Sequence, residues 1–165
     1  GFLVSDLVEA TLSNCDTRYQ NNQSLNLGFV LAAILWPQLQ ERIRESDFEK
    51  RRLHQVLHIE MNDVIQQQQS VLPLSKRHTA MMKSVWLLQF NLERRRPRRV
   101  LTILRHRYYR AAFDLLELRS QFQTSLQSKV AWWSAFANAS STEQQHMADS
   151  LVNRKRRPRP KKTES

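Results

Sequence analysis

Met81-Met-Lys-Ser-Val-Trp-Leu-Leu-Gln-Phe-Asn-Leu92 decides how this chain is read. Met81, Val85, Leu88 and Leu92 follow one another at steps of four, three and four, which puts them on one face of a helix. Upstream, Leu72-Pro73-Leu74-Ser75 breaks the pattern, and Ser75 is placed to cap the helix that follows. Farther back, Phe2 to Asn14 repeats Val4, Leu7, Val8 and Leu12 at amphipathic spacing, and Tyr19 to Gln23 reads as a polar loop. Ser24 is expected to cap a helix running to Trp36, where Pro37 forces a kink or a restart. Asp47 is the expected cap of a long helix through Arg51, Leu53, Val56, Leu57, Ile59 and Val64, with Gln66 to Gln69 as its solvated end. Downstream, Pro97 should start a short helix through Val100, Leu101 and Leu104. Tyr108, Ala112, Leu115 and Phe122 mark another long helix, and Val130 to Ala137 a final short one. The reading is all-α, an irregular helical bundle with a disordered basic C-terminal tail. Its expected divisions are a helical body over 1–75, an arginine-rich helical region over 76–150, and the tail over 151–165.

Composition agrees. The 165 residues include two glycines, Gly1 and Gly28, where ordinary usage is about 7%. Neither GxGxxG nor GxxxxGK[ST] can be written with them, and Asn-Gly or Asp-Gly hairpins are missing. A hydrophobic content of 41% suffices for a core. Cys15 stands alone, so an internal disulfide or a cysteine zinc cluster is excluded, and a reducing cytoplasm is the expected location. The longest apolar stretch, Leu27 to Trp36, is half of the roughly 20 residues a membrane helix needs, and no charged leader precedes it. It reads as a buried helix. The chain opens Gly1-Phe2-Leu3 in an apolar pattern already under way, as a piece cut from a longer protein would.

Charge is unevenly spread. The net formal charge is +11, but residues 1–75 carry −3 and residues 76–165 carry +14. Segregation of this size points to a polyanion, and nucleic acid above all, as the partner of the second half. Lys76 and Arg77 open one helix, and Arg94, Arg95, Arg96, Arg98 and Arg99 surround Pro97 at the next turn. Arg105, Arg107 and Arg110 follow, with Tyr108 and Tyr109 interleaved as a candidate stacking surface. Guanidinium forks fit phosphate oxygens, and five arginines within six residues exceed what a helix end requires. Arg154, Lys155, Arg156, Arg157, Arg159, Lys161 and Lys162 form a last basic run that cannot bury a core.

Catalytic chemistry is harder to place. The aspartates are widely separated, and the D-x-E of Asp47-Phe48-Glu49 falls at a helix start, where capping accounts for it. His54 and His58 lie four apart without an HExxH pattern and read as surface histidines, and Cys15 as a small core residue. No residue is assigned a catalytic or metal-binding role. Trp132 and Trp133 read first as packing groups beside Val130 and Phe136, with base stacking as the alternative.

Leu72-Pro-Leu-Ser-Lys-Arg-His-Thr-Ala-Met-Met-Lys-Ser-Val-Trp86, Arg110-Ala-Ala-Phe-Asp-Leu-Leu-Glu-Leu-Arg119 and Trp132-Trp133 stand in an order that resembles the C-terminal region of bacterial poly(A) polymerase. The basic run after them and the block around Ala32-Ala-Ile-Leu-Trp-Pro37 extend the likeness over most of the chain. The resemblance implies a template-independent adenylyltransferase that extends RNA 3′ ends and marks transcripts for decay. It also implies that ATP, Mg²⁺, paired aspartates and a Gly-Ser turn belong to an N-terminal head absent here, so that this chain alone is inactive. What remains would hold single-stranded RNA near its 3′ end and meet RNA-decay proteins. The alternatives are the RNA-handling part of a tRNA nucleotidyltransferase, whose family shares the head without this basic extension, and a non-enzymatic helical interaction module.

Overall fold

A computed structural model describes residues 2–20, 26–46 and 52–155. These residues are helical, with no strand among them. In chain order the helices are α1 (Phe2–Gln20), α2 (Leu27–Glu45), α3 (Leu53–Val71), α4 (Lys76–Arg94), α5 (Val100–Leu104) and α6 (Tyr109–Ser120), then a 3₁₀ turn at Thr124–Leu126, α7 (Gln127–Asn138) and α8 (Ser141–Lys155). Ser24, Asp47, Glu49, Arg51 and residues 156–165 lie outside the described residues.

α4 is the organising element. Its predicted face is buried throughout, at Met81, Val85, Leu88 and Leu92. Ser75 caps it as expected, its Oγ accepting from the His78 N–H at 3.3 Å. One core gathers Trp36, Leu39, Met61, Val64, Met82 and Trp86 from α2, α3 and α4. A second gathers Leu92, Val100, Leu116, Trp133 and Phe136 from α4 to α7, with Ala148 of α8. α4 contributes to both. Gly28 lets α2 approach it closely, since a Cβ there would meet Met81 Sδ at 3.0 Å. The Trp86 indole then ties α4 to α2, donating to the Ala32 carbonyl at 2.9 Å.

Several local expectations change. The α2 cap is Asn26, whose Oδ1 accepts from the Phe29 N–H at 3.3 Å. Pro37 lies inside α2 without ending it, because packing on both sides outweighs the missing N–H. α1 continues through Tyr19 and Gln20. On its inner face Thr11 is buried while Leu12 is 50% exposed. Thr11 satisfies its hydroxyl within the helix by donating to the Leu7 carbonyl at 2.7 Å. α3 begins at Leu53 with Arg52 at its cap position and no side-chain cap bond. Pro97 falls in the turn before α5 rather than in its first turn.

The largest correction is α8. α7 is not the last helix, for Ser140 and Glu143 form a reciprocal capping box at 3.2 and 3.3 Å that starts another. Met147, Ala148 and Leu151 then pack α8 on the second core. That anchorage carries the helix to Lys155, so Arg154 and Lys155 stand in helical backbone rather than in a disordered tail.

Candidate nucleic-acid interface

The arginine turn is built from two stops. α4 ends at Arg95, whose φ of 47° and ψ of 59° are left-handed, with its N–H donating to the Asn91 carbonyl at 3.1 Å. Pro97 to Arg99 then form a tight turn, in which the Arg99 and Val100 N–H groups both reach the Arg96 carbonyl, at 2.9 and 3.2 Å. Arg94, Arg96, Arg98 and Arg99 are exposed. Among the described residues, none of these four has a carboxylate within ion-pair distance. Arg95 differs from them. It is half-buried, with its guanidinium 5.5 Å from the centroid of the Trp132 ring. Trp132 in turn stacks on Phe136 at 4.8 Å and 16°. Trp133 is fully buried and donates to the Leu92 carbonyl at 2.8 Å. The tryptophan pair therefore packs beneath the turn.

A second basic group forms at the other end of α4, roughly 28 Å away along its axis. Here Arg77 meets Arg107, thirty positions later in the chain, and both line a cleft of about 420 Å³ with Asn26, His78, Met81 and Tyr108. A neighbouring cleft of about 370 Å³ shares Asn26, Met81, Arg107 and Tyr108, and adds Cys15, Phe29, Arg110 and Asp114. Lys76, Arg77, Arg105, Arg107 and Arg110 are exposed. Arg110 is partly neutralised by Asp114 at 3.3 Å. Arg107 lies 5.2 Å from the Tyr108 ring centroid, and the Tyr108 N–H donates to His106 Nδ1 at 3.0 Å. The two tyrosines part ways. Tyr108 faces the clefts, while Tyr109 sits within 6.0 Å of both Phe113 and Trp133. Burial pushes the Tyr109 phenol up to about 12, against the pull of Arg110.

Sequence reasoning missed the buried arginine. Arg119 is 3% exposed and donates to Gln89 Oε1 at 3.0 Å and to Glu93 Oε1 at 3.4 Å. Its guanidinium lies 4.5 Å from the Trp36 ring centroid. Burial lowers its pKa, and Glu93 opposes that shift. Gln89 is fixed in turn, donating to the Val85 and Ala112 carbonyls at 3.2 and 2.9 Å. The signal was present: Arg119 follows Leu115 by four and Leu116 by three, on the inward face of α6.

The remaining candidates fall apart spatially. His54 and His58 are exposed beside Ile59 on α3. Cys15 is half-buried at the edge of a cleft instead of in a core, because α1 turns this position toward Arg107 and Tyr108. Among the described residues no group of three or more His, Cys, Asp or Glu side chains is placed to hold a metal ion. None of the described helices is long and apolar enough to cross a membrane. Arg156, Arg157, Arg159, Lys161 and Lys162 lie outside the described residues.

Known proteins match this chain in sequence. Residues 49–165 match the family described as the polymerase A arginine-rich C-terminus. The chain is 34% identical over 163 residues to poly(A) polymerase I of Salmonella typhi, covering 94% of this chain and 35% of the relative. Against the Escherichia coli O157:H7 poly(A) polymerase I it is 33% identical, with the same coverage. Against that of Haemophilus influenzae it is 28% identical over 162 residues, or 94% of this chain and 34% of the relative. The chain thus spans about a third of the length of these curated relatives. It belongs to the polymerase A arginine-rich C-terminus family, the C-terminal region of bacterial poly(A) polymerases.

Proposed function

We propose that this region binds single-stranded RNA for a poly(A) polymerase that adds AMP units from ATP to RNA 3′ ends and so promotes RNA decay. The observation that carries the reading is the turn after α4, where four exposed arginines stand without a carboxylate partner among the described residues. Uncompensated guanidinium groups at that density gain most from phosphate oxygens, which accept their paired donors. Phosphate contacts position RNA without reading its bases, so binding is expected to be sequence-tolerant. The relatives' name, poly(A) polymerase I, supports the adenylyl-transfer setting.

No metal-binding carboxylate set stands among the described residues, and no transfer step is assigned to them. ATP and Mg²⁺ belong, on this reading, to sequence beyond this chain, in the cytoplasm where transcripts are degraded. Incubating the chain with oligo(A), ATP and Mg²⁺ should give no primer extension, while labelled oligo(A) should bind and be released by salt. Metal-dependent extension by this chain overturns the assignment of chemistry elsewhere. A salt-tolerant protein partner from the decay machinery, with no RNA binding, overturns the RNA reading in favour of an interaction module.

A further inference from the structure

The two clefts around Arg107 and Tyr108 are not explained by phosphate binding alone. A phosphate grip needs exposed cations, which the arginine turn already supplies. The clefts add depth, an aromatic face and polar side chains. At about 420 and 370 Å³, each falls in the range of roughly 300–1,000 Å³ typical of small-ligand sites. Their shared wall of Asn26, Met81, Arg107 and Tyr108 makes them adjacent compartments of one surface. Tyr108 is held from below, packing against both cores, and its backbone is fixed by His106. Its ring is therefore in place before any ligand arrives. Arg107 lies over that ring and offers a second planar surface. Asn26, whose Oδ1 caps α2, lines both compartments, and His78 and Arg77 line one of them. The carboxylate in the other compartment, Asp114, is compensated by Arg110 at 3.3 Å.

We propose that these paired clefts seat consecutive bases of single-stranded RNA against Tyr108 and Arg107, with the connecting phosphate against Arg77 and Arg107. This deepens the RNA-binding reading and rests on it. Bases stack on aromatic rings and guanidinium planes, and their edges accept and donate hydrogen bonds. The site would thus supply the base-dependent part of an affinity whose salt-dependent part comes from the arginine turn.

The test compares two fluorescently labelled probes of equal length, oligo(A) and an abasic ribose-phosphate strand, binding to the whole 165-residue chain. Stacking of one base should make oligo(A) bind about tenfold tighter than the abasic probe. Tyr108→Leu should bring that ratio toward one, and Tyr108→Phe should preserve it. Arg107→Ala, at an exposed position, should lower the ratio without altering thermal unfolding. Equal binding of the two probes by the unmodified chain overturns the base clefts and leaves the phosphate grip standing. So does a ratio unchanged in both Tyr108→Leu and Arg107→Ala. If neither probe binds, the clefts and the RNA-binding reading fall together.

Discussion

Glu93 and Arg94 are neighbours at the end of α4, and they belong to different worlds. Glu93 turns toward the interior and holds Arg119, while Arg94 is exposed, as are Arg96, Arg98 and Arg99 after it. The same side-chain type is used in two opposed ways around one helix end. Arg119 is buried and hydrogen-bonded, its charge met by a carboxylate, an amide and an indole face. Arg94, Arg96, Arg98 and Arg99 are exposed, with no carboxylate in reach among the described residues. A charge count makes these arginines equivalent. Helical phase separates them: Arg119 is turned into the core, and the turn arginines stand exposed.

Removing the buried arginine should have the largest effect. Arg119→Ala strips Gln89 and Glu93 of their donor and opens space beside Trp36, and should cost about 3 kcal/mol of folding stability. Arg119→Met fills more of that space and should cost less, by roughly 1 kcal/mol. Urea unfolding midpoints of the two variants check the order. If Arg119→Ala leaves the midpoint unchanged, this arginine is not structural. Next, Trp133→Phe removes the donor to the Leu92 carbonyl and part of the second core, for about 2 kcal/mol. Its effect should appear in thermal unfolding.

Tyr109 gives a prediction in pH. Its phenol stays protonated in the fold up to about pH 12, against an ordinary value of 10.0. Between these values the unfolded chain has shed a proton that the native chain keeps, so stability falls as pH rises above 10. Tyr109→Phe should flatten that fall, measured as urea midpoints from pH 9 to 11. The smallest effect belongs to Arg95→Gly. Relief of the left-handed backbone, worth about 1 kcal/mol, is offset by losing the side chain's contacts, that over Trp132 (about 0.5 kcal/mol) among them. The net shift should stay under about 1 kcal/mol, and a larger loss would show that Arg95 anchors the turn.

The face of α4 and its Ser75 cap could be read from the sequence because spacing and capping are local properties. The capping box of Ser140 and Glu143 was equally local, but the polar sequence around it concealed a helix whose apolar contacts are confined to Met147, Ala148 and Leu151. Of the kink or restart expected at Pro37, the restart is absent, because α2 is stabilised by its neighbours more than by its own propensity. Leu12, read from its spacing as part of the apolar face, is exposed, and Thr11 is buried beside it because a hydroxyl can be satisfied inside its own helix. In the site, the cations were legible and their grouping was not. Arg77 and Arg107 meet only because α4 and α6 pack side by side, and the depth of the clefts between them exists only in three dimensions. Arg119 was hidden by its type, since a charged residue on an apolar face is ordinarily discounted.

The central claim is that the exposed arginines of the α4–α5 turn grip phosphate while the buried one holds the fold. Replacing Arg94, Arg96, Arg98 and Arg99 together with glutamine, and leaving Arg95 and Arg119, tests both halves. Binding of single-stranded oligo(A) is measured across a salt series by fluorescence anisotropy, beside thermal unfolding of the same variant. Each lost phosphate contact should flatten the slope of log K against log salt by about 0.7, so three contacts give a change of roughly 2. Oligo(A) and mixed-sequence RNA should lose the same number of contacts, and the melting temperature should hold. A variant that folds normally and keeps the full salt slope would contradict the account.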